Sequence, residues 1–213
     1  MSDSIETRLK AAPVVPLILA DDPEIAIRTA LALVDGGLTV IEVVLRTTEA
    51  VSCLKAIAAE VPGAVVGAGT VLGEDQVSAV HAAGAQFIVS PGLFEPVVQA
   101  ARAASLPVFP GVATASEAQR AWNLGLQTVK FFPASLAGGV PMLKALGSVF
   151  GSLSFMPTGG ISADNLADYL AVPSVLACGG SWLTPKSAIS EGRYETVTKL
   201  AAEAVAIAQS VRA

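Results

Sequence analysis

Short apolar runs rich in Val, Ile and Leu begin near residues 14, 38, 64, 86, 107, 127, 153 and 175. The stretches between them carry the three-to-four-residue spacing of amphipathic helices. Successive starts lie 24, 26, 22, 21, 20, 26 and 22 residues apart, close to one strand-and-helix unit each. Several helices have explicit boundaries. Asp22-Pro23-Glu24 supplies an N-cap carboxylate, a proline at the first helical position and an acid in the first turn, and Gly36-Gly37 closes that helix. Thr114 and Glu117 have the spacing of a capping box, and Ser162 is placed to cap the helix that follows Gly160. Eight such units predict a parallel sheet with helical crossovers. In about 200–250 residues the economical way to use them is a closed (β/α)8 TIM barrel. The rival, an open doubly wound sheet, usually has fewer strands. No linker, repeat or low-complexity segment divides the chain, so residues 1–213 are expected to form a single domain. The last helix, about 190–211, alternates Glu191, Arg193, Glu195, Lys199 and Glu203 and is expected on the outside.

Composition narrows the function classes. Hydrophobic residues make up 53% of the chain and charged residues 15%, which excludes disorder and points to extensive burial. The net charge of −5 argues against nucleic acid and anionic membrane as partners, both of which need a positive field. Residues Met1 to Lys10 are polar and partly acidic, unlike a signal peptide, and the uncharged stretch 76–94 contains too many polar residues to span a bilayer. Cys53 and Cys178 fall in different elements, as expected of isolated thiols in a reducing cytoplasm.

In barrels of this kind the chemistry gathers at the C-terminal ends of the strands, where this chain has few ionisable residues. Alternation along the second strand puts Val40, Glu42, Val44 and Arg46 on one face. A carboxylate and a guanidinium inside the barrel are either a structural ion pair or functional groups, and burying both for stability alone is unfavourable. In the sixth strand, Lys130 is flanked by Val129 and Phe131 and shares a face with Phe132. Lysine is almost never buried unpaired. It either snorkels to the rim or pairs with Glu42, or it serves as a nucleophile. An ordinary lysine is almost wholly protonated at neutral pH, but desolvation and a nearby Arg46 would favour the neutral amine.

Two glycine pairs, Gly159-Gly160 and Gly179-Gly180, follow the seventh and eighth strands. Backbone N–H groups in such turns, together with the helix start at Ser162, suit an anion at the usual phosphate position of the fold. Gly67-Ala68-Gly69-Thr70 lacks the full dinucleotide fingerprint and is read as a turn with a hydroxyl donor at the barrel mouth. His81, the only histidine, falls mid-helix, so neither a zinc site nor a Ser-His-Asp triad is expected. Asp21 and Asp22 precede a proline and are expected to cap a helix rather than hold magnesium.

Lys130, Glu42, Arg46 and a phosphate cradle around one cavity point to carbonyl chemistry on a phosphorylated keto acid, without metal or dissociable cofactor. A protonated imine on Lys130 would act as an electron sink, Glu42 would move protons at the neighbouring carbon, and Arg46 with Thr70 would hold a carboxylate. The runs IEVVLRT (41–47), GAGTV (67–71), IVSPG (88–92), VKFFPA (129–134), PTGGI (157–161) and GGSW (179–182) resemble the bacterial 2-keto-3-deoxy-6-phosphogluconate (KDPG) aldolases, in order and spacing from Val14 to Pro185. The resemblance implies a homotrimeric class I aldolase of the Entner–Doudoroff pathway. It would release pyruvate and glyceraldehyde 3-phosphate, and would also cleave 4-hydroxy-2-oxoglutarate. On matching positions it makes Lys130 the Schiff-base lysine and Glu42 the general acid/base. Arg46 and Thr70 would hold the pyruvate carboxylate, Pro91 and Phe132 would line the pocket, and Thr158 would meet a substrate hydroxyl. Gly159, Gly160, Gly180 and Ser181 would bind phosphate. Three positions depart from the family: Val44 for threonine, Ser135 for the glutamate after FFPA, and Met156 for cysteine. Two alternatives stand beside this reading. One is an aldolase for the C4 epimer, 2-keto-3-deoxy-6-phosphogalactonate. The other is a non-catalytic phosphoanion-binding barrel in which Lys130 only pairs with Glu42.

Overall fold

The structure, a computed structural model, describes residues 5–212. Residues 1–4 of the polar N-terminal stretch considered above lie outside the described residues. Every strand pairing is parallel. Strands β1 (Val14–Ile18), β2 (Val40–Val44), β3 (Val65–Gly69), β4 (Ile88–Val89), β5 (Val108–Phe109) and β9 (Cys178–Gly180) form one sheet in the order β5-β4-β3-β2-β1-β9. Strands β6 (Gly111–Val112), β7 (Thr128–Phe131) and β8 (Ser154–Pro157) form a second, small sheet in the order β6-β7-β8. The chain is thus an α/β fold built on a curled parallel sheet, and the predicted fifth strand is divided. Pro110 is the reason, because it has no N–H to donate to a ladder and separates β5 from β6. At the far edges, single parallel bridges join Phe155 to Val175 and Thr158 to Gly179.

Alternation along the strands sorts two sets of side chains. Ile41, Val43, Val66, Ala68, Ile88, Val129, Phe131 and Phe155 point outward into one large core with residues of the surrounding helices. Those helices include α2 (Pro23–Asp35), α3 (Ala50–Glu60), α4 (Glu74–Ala82) and α5 (Glu95–Ala103). Val15, Val40, Val65, Phe87, Val89, Phe109, Met156 and Ala177 point inward into a second, smaller cluster. This cluster is closed by Leu9, fully buried, from the short helix α1 (Ile5–Ala11), an element the sequence reading did not anticipate. Met156 is therefore an interior packing residue, as expected of its replacement of cysteine.

The predicted caps form. Asp22 accepts hydrogen bonds from the N–H groups of Glu24 and Ile25, at 2.8 and 3.1 Å, and Gly37 adopts a left-handed φ of 92° after α2. At α6 (Ala115–Asn123), Glu117 accepts from the Thr114 N–H while Thr114 Oγ1 accepts from the Glu117 N–H. Before α8 (Ala163–Leu170), Asn165 Oδ1 accepts from the Ser162 N–H at 3.0 Å. The expected final helix is α10 (Tyr194–Arg212), preceded by a short helix α9 (Lys186–Ser190) that was not expected, with α7 (Gly139–Val149) lying earlier between β7 and β8. Arg212 ties α10 back to the approach to β9 by donating to the carbonyls of Val175 and Leu176. No described helix is long and apolar enough to cross a membrane.

Candidate active site

The interior changes character toward the C-terminal ends of the strands. Below, it is filled by the Val and Phe cluster. Above, the inward positions become Gly67 and Gly69 on β3, Gly111 on β6 and Gly179 on β9, with Glu42, Lys130 and Thr158 as the buried polar groups among them. The glycines make room for neighbouring groups that a side chain would displace. A Cβ on Gly69 would come within 2.0 Å of Glu42 Oε1, and one on Gly179 within 2.3 Å of Thr158 Oγ1. The sequence therefore seats buried polar side chains against glycine backbone above a packed floor.

Lys130 and Glu42 meet in this upper interior. They are 6% and 2% exposed, so the lysine is not carried out to the rim, and the snorkelling alternative does not hold. Lys130 Nζ donates to Glu42 Oε1 at 3.4 Å, although β7 and β2 belong to different sheets. The length of that contact marks a loose pair rather than a tightly closed ion pair. Nζ also lies 5.3 Å from the centroid of the Phe132 ring, one residue beyond the end of β7. The amine is thus held between a carboxylate and an aromatic face. A buried pair of this kind is weak as a source of stability and strong as a means of placing a nucleophile beside a base.

The other predicted residues lie on the turns that follow the strands. Thr70, just past β3, is half-buried and has a left-handed φ of 60°, an unfavourable conformation for a β-branched residue. Pro91 follows β4 by two residues and is half-buried, its carbonyl packed on Gly111. Thr158 is buried just after β8, where its backbone bridges to Gly179. Gly159 and Gly160 have left-handed φ values of 98° and 78°, and the turn is pinned by Ser135 N–H donating to the Gly159 carbonyl at 3.0 Å. Ser135 Oγ lies where a Cβ on Gly160 would be, so the departure from FFPAE sits directly on this turn. Gly180 ends β9 and Ser181 is exposed beyond it.

Arg46 is placed differently from the sequence reading. β2 ends at Val44, and the Arg46 N–H donates to the Val44 carbonyl at 2.8 Å, so the chain turns and strand alternation no longer governs the side chain. Arg46 is exposed and lines an open cleft of about 650 Å³ at the strand ends, together with Asp21, Thr47, Ser181, Thr184 and Lys186. The Glu42–Arg46 ion pair considered above is absent among the described residues; Glu42 pairs with Lys130 instead. Asp22 caps α2 as expected, whereas Asp21 belongs to this cleft. Val44 is buried two residues after Glu42 on the same face of β2, so the departure from threonine lies next to the carboxylate. Trp182 had no assigned role: its ring lies against Gly180, where a Cβ would come within 1.7 Å of it. The adjacent Gly-Gly-Ser-Trp run was the available signal, since a glycine beside a large aromatic marks a close approach. No group of three or more His, Cys, Asp or Glu is arranged to hold a metal ion among the described residues.

These features agree with known proteins over nearly the whole chain. A family model described as KDPG and KHG aldolase matches residues 5–200. The chain is 51% identical over 203 residues to the 2-dehydro-3-deoxy-phosphogluconate aldolase of Dickeya dadantii, covering 95% of each. It is 51% identical over 202 residues to the KHG/KDPG aldolase of Escherichia coli, again covering 95% of each. A crystal structure of KDPG aldolase from Legionella pneumophila, with pyruvate captured at low pH as a covalent carbinolamine intermediate, superposes with a TM-score of 0.89 at 40% identity, covering 94% of this chain and 97% of that one. A parallel α/β fold, a buried lysine–glutamate pair and full-length identity of this order leave one assignment: the chain belongs to the KDPG and KHG aldolase family.

Proposed function

We propose that the protein is a class I aldolase that cleaves 2-keto-3-deoxy-6-phosphogluconate to pyruvate and glyceraldehyde 3-phosphate, and 4-hydroxy-2-oxoglutarate to pyruvate and glyoxylate. The observation that carries this reading is Lys130, buried on β7 with its amine 3.4 Å from Glu42. The neutral amine adds to the C2 ketone to give a carbinolamine, and loss of water leaves a protonated imine. Glu42, directly or through water, takes the proton of the C4 hydroxyl as the C3–C4 bond breaks. The electron pair passes into the imine to form an enamine, and the aldehyde leaves. A proton returned to C3 and water added to the imine release pyruvate and restore Lys130. The steps need no metal or dissociable cofactor.

Arg46 and Thr70 hold the carboxylate, Pro91 and Phe132 line the pocket, and Thr158 meets a substrate hydroxyl. Gly159, Gly160, Gly180 and Ser181 cradle the phosphate with backbone N–H groups and a hydroxyl, near the N-terminus of α8. Arg46 reaches the reacting centre by turning inward from the cleft rim as substrate binds. The two sheets are two arcs of one (β/α)8 barrel in a single domain. The single-residue break at Pro110 and the Thr158–Gly179 bridge support this. The assembly is a cytoplasmic homotrimer, as the family resemblance implies.

Pyruvate release from KDPG, its C4 epimer and 4-hydroxy-2-oxoglutarate, followed with lactate dehydrogenase, tests the reading. KDPG is expected to give the highest kcat/KM. Faster cleavage of the epimer would reassign the substrate, and ligand binding without pyruvate release would favour a non-catalytic anion-binding barrel.

A further inference from the structure

We propose that Lys186 selects phosphorylated aldols, its ammonium neutralising the substrate phosphate at the rim of the cleft. The inference rests on the aldolase reading above and goes beyond its residue assignments. Every group assigned there to the phosphate is a neutral dipole: three glycine backbones and the Ser181 hydroxyl. A phosphate monoester carries about −1.5 to −2 charges at neutral pH. It approaches a chain whose own net charge is −5. Neutral donors orient such a group but leave most of its charge unbalanced. A cation at the cradle therefore has to come from a residue not yet assigned.

The cleft of about 650 Å³ that contains Ser181 has two cationic residues in its lining, Arg46 and Lys186. Arg46 is assigned to the substrate carboxylate, at the other end of the molecule. Lys186 is exposed and follows Ser181 by five residues, as the first residue of α9 where the loop that leaves β9 ends. That loop is anchored, because Thr184 Oγ1 donates to the Leu17 carbonyl at 2.7 Å and the Trp182 ring lies on Gly180. Among the described residues neither Lys186 nor Arg46 makes an ion pair or a side-chain hydrogen bond, so both charges are uncommitted. Asp21 lines the same cleft and opposes them. The cleft is thus a field of two cations and one anion, and the two groups outside the assigned site push an incoming phosphate in opposite directions.

That opposition gives the test. Steady-state kinetics are measured for KDPG and for the unphosphorylated 4-hydroxy-2-oxoglutarate with the full-length wild type and the variants Lys186→Ala, Lys186→Arg and Asp21→Asn. Lys186→Ala is expected to raise KM for KDPG roughly tenfold, the lower end for a charge-assisted contact partly screened by solvent, with kcat little changed. Its KM for 4-hydroxy-2-oxoglutarate should stay within about twofold of wild type. Lys186→Arg should restore KM for KDPG, and Asp21→Asn should lower it by about two- to threefold, because the opposing charge is gone. A structural role for Lys186 would move both substrates together and would not give opposite signs for the two charge removals. An unchanged ratio of the two kcat/KM values in Lys186→Ala, with wild type cleaving KDPG normally, would overturn this inference and leave the aldolase reading intact. A wild type that cleaves neither substrate would overturn both.

Discussion

Glycines decide where the functional groups of this site stand. Gly69 has no side chain because Glu42 occupies that space. Gly69→Ala is expected to push the carboxylate away from Lys130 and lower kcat by about 10²-fold, the lower range for losing a positioned acid/base, with unfolding still cooperative. Glu42→Gln should lose about 10²- to 10⁴-fold in kcat while still forming the imine with pyruvate, since the lysine itself is intact. Thr70 shows the reverse arrangement, a β-branched residue held at φ 60°. In Thr70→Gly, about 1–2 kcal/mol of left-handed strain is released against about 0.5–1 kcal/mol of added chain entropy. Thermal unfolding is therefore expected to show stability unchanged or slightly higher, while KM for the keto acid rises because the hydroxyl is gone. A large loss of stability would show that Thr70 is held for folding and not for substrate. At this scale the sequence was informative wherever periodicity applied. Alternation along β2 put Glu42 in the interior, where it is 2% exposed, and the same argument failed at Arg46, which lies beyond the last ladder position.

Between elements, local signals and tertiary packing contributed differently. The caps at Asp22 and Thr114 were legible because each satisfies orphan N–H groups within a few residues of itself. At Glu117, burial pushes the carboxyl up, but hydrogen bonds from the Ala113 N–H, Thr114 Oγ1 and the Thr114 N–H outweigh it and hold the group below the usual carboxylate range. Its contribution is complete above the unfolded carboxyl value, about 4.3, and is lost as the pH falls through the lower folded value. Thr114→Ala should cost about 1 kcal/mol at neutral pH in denaturant titration, and less at the acid end, where the partner is protonated. Helix α1 was not legible, because a seven-residue polar segment with one buried leucine has no periodicity to read. Its value is tertiary: Leu9 closes the floor of the interior. Leu9→Ala is expected to lose about 2–5 kcal/mol of stability with kcat unaffected, as the floor lies at the opposite end from Lys130.

Across the whole molecule, the even spacing of eight apolar runs was enough to anticipate a parallel α/β fold, because the period of a strand-and-helix unit is set by backbone geometry, whereas the family was legible only in the resemblance carried by runs such as VKFFPA and PTGGI. What spacing could not convey is interruption: Pro110 divides one run into two strands, and a single missing N–H does not change a hydrophobic pattern. The same global burial fixes the two thiols. Burial raises both Cys53 and Cys178, with Asp22, Asp21 and Glu49 adding to the first and Arg212 partly opposing at the second. Neither should react with an alkylating reagent in the native protein, and both should react on unfolding, as intact mass would show. Because the unfolded chain loses these thiol protons above about pH 8.5 while the folded chain keeps them, stability should be full below that pH and decline above it.

Borohydride trapping asks directly whether Lys130 is a Schiff-base nucleophile. The protein is incubated with excess pyruvate and sodium borohydride, its intact mass is measured, and the modified peptide is mapped. One stable adduct of the mass of reduced pyruvate per chain is expected, on Lys130, and none in Lys130→Met. A folded protein that gains no adduct, or gains it on another lysine, would contradict it.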